Sequence, residues 1–187
     1  MYNNLPRFLA KDKQDWTLKF FLDWTYASTT AYDVSGQGNN WTLVWTPIAM
    51  RKMWWRWWTY NWSSQYTTFP NITWILTVWF WIYPTANNDN IILLSTWNSI
   101  NISSTDTITV TWLTLTTAYV NWTNSIWVNQ NKWNFVCCTI SSANSTSWNI
   151  ANSQFTWSII NPMIFSRTLS QTEIQELNYS QAELTFT

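Results

Sequence analysis

The run Asp33-Val34-Ser35-Gly36-Gln37-Gly38-Asn39-Asn40-Trp41-Thr42-Leu43 is dense in turn formers. Asp, Asn and Ser side chains hydrogen-bond their own backbone a few residues on, and glycine supplies positive φ without steric cost. Asn40-Trp41 stands where Asn-Gly would close a tight turn. The same exchange recurs at Asp15-Trp16, Asp23-Trp24, Asn61-Trp62 and Asn121-Trp122. A bulky side chain at positive φ costs roughly 1–2 kcal/mol each time. The chain of 187 residues holds 2 glycines and 19 tryptophans. Ordinary glycine usage, about 7%, would supply roughly 13. The pattern implies a codon read as glycine in the source, most simply UGA, and written here as tryptophan, with Trp54, Trp81 and Trp133 genuine. The alternative is a native tryptophan-rich surface for stacking sugars.

Working outward from that run, short stretches rich in Val, Ile, Thr, Tyr and Phe alternate with Asn/Ser/Thr clusters, which predicts many antiparallel strands. The expected strands are residues 18–22, 66–69, 75–83, 91–95, 108–111, 115–120, 132–140 and 158–165. Helical periodicity occurs near the end, where Ser170-Gln171-Thr172-Glu173 is a capping box ahead of Ile174 and Leu177, predicting one short helix over 171–178. Residues 1–14 read as a polar lead-in and 15–187 as a single domain, a size at which one β-sandwich is routine.

Nine basic and nine acidic residues cancel, and only 10% of the chain is charged, so there is no basic stripe for nucleic acid. Adjacent Cys137 and Cys138 point to opposite faces of a strand and are poorly placed to bond each other, which leaves buried thiol as their expected state. No stretch of 18 apolar residues occurs, so no transmembrane helix is expected. Residues 1–15 hold no apolar stretch of signal-peptide length, which leaves export to an upstream segment or another route.

Three stretches, read with glycine at the suspect tryptophans, resemble the concanavalin A-like lectin/glucanase superfamily in its laminin-G-like branch. Thr29 to Leu43 is similar to the turn-rich opening motif D-x-S-G-x-G-N-x-G-T-L, on Asp33, Gly36 and Gly38. Tyr60-Asn61-Trp62-Ser63-Ser64-Gln65-Tyr66 resembles F-D-G-S-x-D-Y, and Thr77 to Pro84 resembles a strand ending in F-W-x-x-P, with Trp81 on the family tryptophan. Phe155-Thr156-Trp157-Ser158-Ile159, then Ile164 to Ile174, resembles F-x-G-x-I followed by I-Y-N-R-x-L-S-x-x-E-I, on Arg167, Ser170 and Glu173. Lys132-Trp133-Asn134-Phe135-Val136 falls between them in family order. The resemblance implies an all-β, concanavalin-like jelly-roll sandwich of two antiparallel sheets, agreeing with the strand pattern. Arg167 itself reads as a structural anchor in the sandwich, with a ligand contact as the alternative.

The chain has no histidine, which excludes histidine triads and histidine metal sites. Its glutamates are Glu173, Glu176 and Glu183, all in or after the predicted helix, and its aspartates are scattered. Glycoside hydrolysis by paired carboxylates therefore has no couple to use, and the expectation is a chain that is not an enzyme. No cofactor is expected beyond calcium, for which Asp33 is the candidate ligand; its other reading is an Asx turn. Family members that bind calcium place an acidic residue after the F-x-G-x-I strand, where this chain has Ile160 and Asn161. The resulting expectation is a noncatalytic recognition or adhesion module, extracellular or at a cell surface. Its expected partner is a glycan or a surface protein, engaged as part of a larger or multivalent assembly. The rival reading is a structural decoration or fibre module of a virion or surface filament.

Overall fold

A computed structural model of the chain describes residues 11–12, 14–15, 17–23, 30–44, 48–52, 55–59, 66–85, 89–93, 98–121, 123–143, 148–150 and 157–177. Among them run the strands β1 (Leu18–Asp23), β2 (Thr30–Asp33), β3 (Trp41–Val44), β4 (Ile48–Lys52), β5 (Trp55–Thr59), β6 (Tyr66–Phe69), β7 (Ile75–Pro84) and β8 (Asp89–Leu93). They continue as β9 (Ser99–Ile102), β10 (Ile108–Thr111), β11 (Leu115–Val120), β12 (Thr123–Asn124), β13 (Asn134–Ala143), β14 (Trp148–Ile150) and β15 (Trp157–Phe165). A helix, α1, follows over 171–177, and residues 11, 12 and 14 are helical as well. Every described pairing is antiparallel, and the fold is an all-β sandwich of two sheets.

The first sheet has the order β1-β15-β7-β13-β11-β12, with β5 pairing the start of β15 and β4 pairing β5. The second has the order β10-β9-β8-β14-β6-β3-β2. They join at one edge, where Leu22 and Asp23 of β1 pair with Asp33 and Tyr32 of β2.

Side-chain alternation in β7 and β13 explains why the first sheet is buried on both faces. Val78, Phe80 and Ile82 of β7, with Val136, Cys138 and Ile140 of β13, share a core cluster with Trp41, Ile91, Ile100, Ile102 and Ile108 of the second sheet. That cluster is the sandwich interior, as expected for facing sheets whose strands alternate inward and outward. The odd-numbered neighbours Trp79, Trp81, Phe135 and Cys137 face the other way. They pack with Leu18, Leu169, Ile174 and Leu177, so that α1 covers the outer face. In β15 the parity changes midway: Ile159 belongs to the interior and Ile160 to the outer layer, then Met163 is outer and Ile164 interior. A register shift between Ile160 and Met163, with Asn161 at φ 47, makes that change. A bulge inserts one residue and so exchanges the two faces beyond it.

Several sequence expectations shift. The sequence reading puts Trp81, Trp133 and Phe135 in the interior between two facing sheets; Trp81 and Phe135 are instead buried beneath α1, and Trp133 is half-buried. The strand expected over 132–140 starts at Asn134, and the one expected over 91–95 runs Asp89–Leu93. Trp41, expected in a turn at positive φ, opens β3 opposite Ala31 and is 1% exposed. Trp16, Trp24, Trp54, Trp62 and Trp122 lie outside the described residues, as does Asn178 at the expected helix end. No described helix is long and apolar enough to cross a membrane.

Candidate functional site

Asp33, the calcium candidate, spends both carboxylate oxygens on its own loop. Oδ1 accepts from the Ser35 backbone N–H at 2.8 Å, and Oδ2 accepts from the Ser35 hydroxyl at 2.8 Å and the Asn39 N–H at 2.9 Å. The Asp33 N–H donates to Asn40 Oδ1 at 3.0 Å, and Asn39 Nδ2 donates to the Lys19 carbonyl at 2.6 Å, tying the loop to β1. Gly36 and Gly38 take φ of 92 and 73, which lets the chain fold back over the carboxylate. A hard cation wants several converging oxygens. Among the described residues no three acidic, cysteine or histidine side chains converge to hold one. The geometry at Asp33 is that of a carboxylate organising a turn.

Arg167, Ser170 and Glu173 form one charged clasp, completed by Asp12. Arg167 Nε and Nη2 donate to the two Asp12 oxygens at 2.7 Å each, and Nη2 and Nη1 donate to Glu173 at 2.6 and 3.0 Å. Glu173 Oε2 also accepts from the Ser170 N–H at 2.8 Å and hydroxyl at 2.9 Å, while the Glu173 N–H donates to Ser170 Oγ at 3.3 Å. This closes the capping box that starts α1. Hydrogen bonding from Arg167, helped by Ser170 and opposed by partial burial, brings the Glu173 carboxyl down to about 2. Burial alone would lower the Arg167 pKa, but its bonds to Asp12 and Glu173 outweigh that and raise it. Asp12 sits within the polar lead-in of the sequence reading, yet it is buried. Nothing in its local sequence pairs it with an arginine 155 positions away.

The richest polar arrangement is one that sequence reading missed. Asn134, fully buried at the start of β13, organises the loop that leads into it. Its Oδ1 accepts from Asn121 Nδ2 and the Asn129 N–H, both at 2.9 Å. Its Nδ2 donates to the carbonyls of Asn129 at 2.7 Å and Lys132 at 2.8 Å. Asn121 Oδ1 in turn accepts from the Phe135 N–H at 3.0 Å. Asn121 and Asn131 hold φ of 48 and 55, a region asparagine enters more readily than most residues. The Asn131 N–H donates to the Pro84 carbonyl at 2.7 Å, fixing the loop against the end of β7. There Tyr83 and Trp133, both half-buried, meet edge to face with centroids 5.6 Å apart. Gln130 Nε2 donates to Asp106 Oδ1 at 2.7 Å beside them in sequence, and Asn129, Asn131 and Lys132 are exposed. The crowding of asparagine in Asn129-Gln130-Asn131-Lys132-Trp133-Asn134 is the sequence signal that could have marked this loop. Chemically, the face of a fixed aromatic ring can stack an apolar sugar face, and nearby amides can hydrogen-bond its hydroxyls.

Cys137 and Cys138 are free and buried on opposite faces of β13. Burial raises both thiols, Cys138 to about 12, which makes them poor nucleophiles.

No family model matches the chain, and no curated protein sequence matches it. Its structure is similar to that of Trypanosoma rangeli sialidase in complex with sialic acid, with a TM-score of 0.53 and 12% identity, over 88% of this chain. The chain spans a third of that protein, 33% of its length, and at this identity the likeness is one of fold. It overturns the expectation that the chain is not an enzyme, since a solved structure sharing the architecture belongs to one. The physical weakness of that expectation was its premise. Paired carboxylates are not universal in glycoside hydrolysis, and sialidases use a tyrosine nucleophile. Missing histidine and scattered acids therefore exclude less than they were taken to exclude.

Proposed function

We propose that this chain is a laminin-G-like sandwich that recognises carbohydrate at a cell or particle surface, displayed in several copies. The observation that carries the reading is the fold likeness to a protein seen with sialic acid. The order of the motifs on Asp33, Gly36, Gly38, Trp81, Trp133, Arg167, Ser170 and Glu173 supports it from the sequence side. On this reading the sugar meets the end of the sandwich built around Asn134, where the Tyr83 and Trp133 rings and the neighbouring amides lie. Tryptophans written at turn positions belong to the same reading, as glycine written as tryptophan, whereas Trp41 and Trp79 fill core positions.

A shallow polar site of this kind binds at about micromolar to millimolar strength, because little buried area stands against the cost of association. Display in several copies raises retention by roughly 10²–10⁴. The test is a glycan array with the protein both free and coupled to beads, sialylated and neutral glycans side by side. Retention by the coupled form, competed by free sugar and lost in Trp133→Ala, is the expected result. Release of free sugar in the same wells would add catalysis to the reading. Binding to no glycan, with stable self-assembly instead, would replace it with the structural decoration or fibre module.

A further inference from the structure

Eight described residues hold a left-handed backbone: Gly36, Gly38, Asp106, Asn121, Asn131, Asn161, Trp74 and Trp112. Six are glycine, asparagine or aspartate, the residue types that enter this region with least penalty. The two tryptophans are the exceptions, at φ 59 for Trp74 and φ 56 for Trp112. At such φ the Cβ of an L-residue crowds the following carbonyl oxygen, and only a residue without Cβ escapes that contact.

Burial could offset the strain, but neither ring is buried. Trp74 is 65% exposed and Trp112 77%. By contrast Trp41, Trp79 and Trp81, which do not hold positive φ, are at most 6% exposed. Among the described residues, Trp74 and Trp112 are the tryptophans set on left-handed backbone, and both have most of their surface in water, whereas Trp127, also 62% exposed, holds an ordinary φ. Both strained sites are also places where the chain must redirect itself. Trp74 directly precedes β7, and Trp112 opens the link from β10, in the second sheet, to β11, in the first. Connections of that kind are where glycine ordinarily supplies the left-handed residue. The chain has 2 glycines against 19 tryptophans, so the expected residue type is missing where its backbone conformation is present.

We infer that positions 74 and 112 carry glycine in the protein as its source cells make it, through a codon those cells read as glycine and the written sequence renders as tryptophan. The backbone conformation, independent of any sequence motif, selects these two sites. The consequence for binding is direct. No aromatic platform exists where Trp74 and Trp112 are written, while Trp133, held against Tyr83, keeps its ring.

Peptide mass spectrometry of the protein isolated from its source cells tests this. The peptides spanning positions 74 and 112 are expected to carry the glycine mass at both, while the peptide spanning 133 keeps tryptophan. Tryptophan at either 74 or 112 overturns the inference. A second measurement needs no source cells. Made recombinantly, Trp74→Gly/Trp112→Gly should melt above Trp74→Ala/Trp112→Ala by about 2–4 °C per site, because alanine keeps the Cβ that positive φ penalises. A glycine form that melts at or below the alanine form overturns it as well.

Discussion

Arg167 grips Asp12 with two parallel hydrogen bonds of 2.7 Å, joining residues 155 positions apart and fixing the approach to β1 to the segment that launches α1. Thr17 strengthens the hold, its hydroxyl donating to Asp12 Oδ1 at 2.7 Å. On the opposite side Thr77 of β7 donates to the Arg167 carbonyl at 2.8 Å and accepts from the Leu169 N–H at 3.2 Å. Arg167 therefore ties together three parts of the chain: its guanidinium holds the approach to β1 and the start of α1, and its carbonyl is held by β7.

Arg167→Ala should destabilise the domain by about 3–5 kcal/mol, since it leaves the buried Asp12 carboxylate without its partner. Arg167→Lys should recover only part of that loss, because an ammonium cannot bond both carboxylates in parallel. Urea denaturation checks both, and equal stability of the wild type and Arg167→Ala would show the clasp to be idle.

Glu173 sets a pH dependence. Its carboxyl is held at about 2 in the folded chain, below the ordinary glutamate value, so the folded state favours the charged form. Its contribution is therefore fully present above about pH 4.5 and is lost as pH falls through that value towards 2. Thermal melts between pH 6 and pH 2 should show a decline that flattens in Glu173→Gln, whose own cost at pH 7 is about 1–3 kcal/mol.

Asn134→Ala should cost about 1–3 kcal/mol, because it removes a fully buried amide that bonds the Asn129 and Lys132 carbonyls, the Asn129 N–H and the Asn121 amide. The loss should be local first. Hydrogen exchange is expected to quicken over residues 121–133 while β7 and β15 keep their protection.

Cys137 and Cys138 should resist alkylation in the native protein and react fully in denaturant, because both thiols are buried and raised. Mass spectrometry after a timed iodoacetamide pulse reads this directly. Rapid native labelling would place β13 nearer the surface than its packing implies.

Much of the fold is legible in the sequence because its signals are local. Tyr66–Phe69, Ile108–Thr111 and Leu115–Val120 are bounded in the chain as they are in the structure, since β-branched runs between turn formers announce strands wherever they pair. The capping box at Ser170 and Glu173 is equally local and closes as its spacing requires. Shorter strands such as β2, β9 and β14 carry too little alternation to be seen, and they exist because a neighbour supplies their hydrogen bonds.

The candidate site was less legible for the same reason. The Asp33 turn reads from its residues, because a carboxylate reaches backbone two and six positions on. The Asn134 loop does not, since its amide is useful only once β13, β7 and residue 121 have been brought together. Trp41 shows the converse error: paired with Asn40 in sequence it suggests a turn, yet opposite Ala31 it extends a strand and fills the core.

The sequence alone determined the all-β class, the antiparallel strands and the short terminal helix, because alternation and capping are properties of neighbours along the chain. The tertiary structure alone decided which face of each strand is covered by the second sheet and which by α1, that Asp12 meets Arg167, and that Trp74 and Trp112 sit on left-handed backbone. Those depend on contacts between residues far apart in sequence and on the direction the chain must take to make them. No local pattern encodes either.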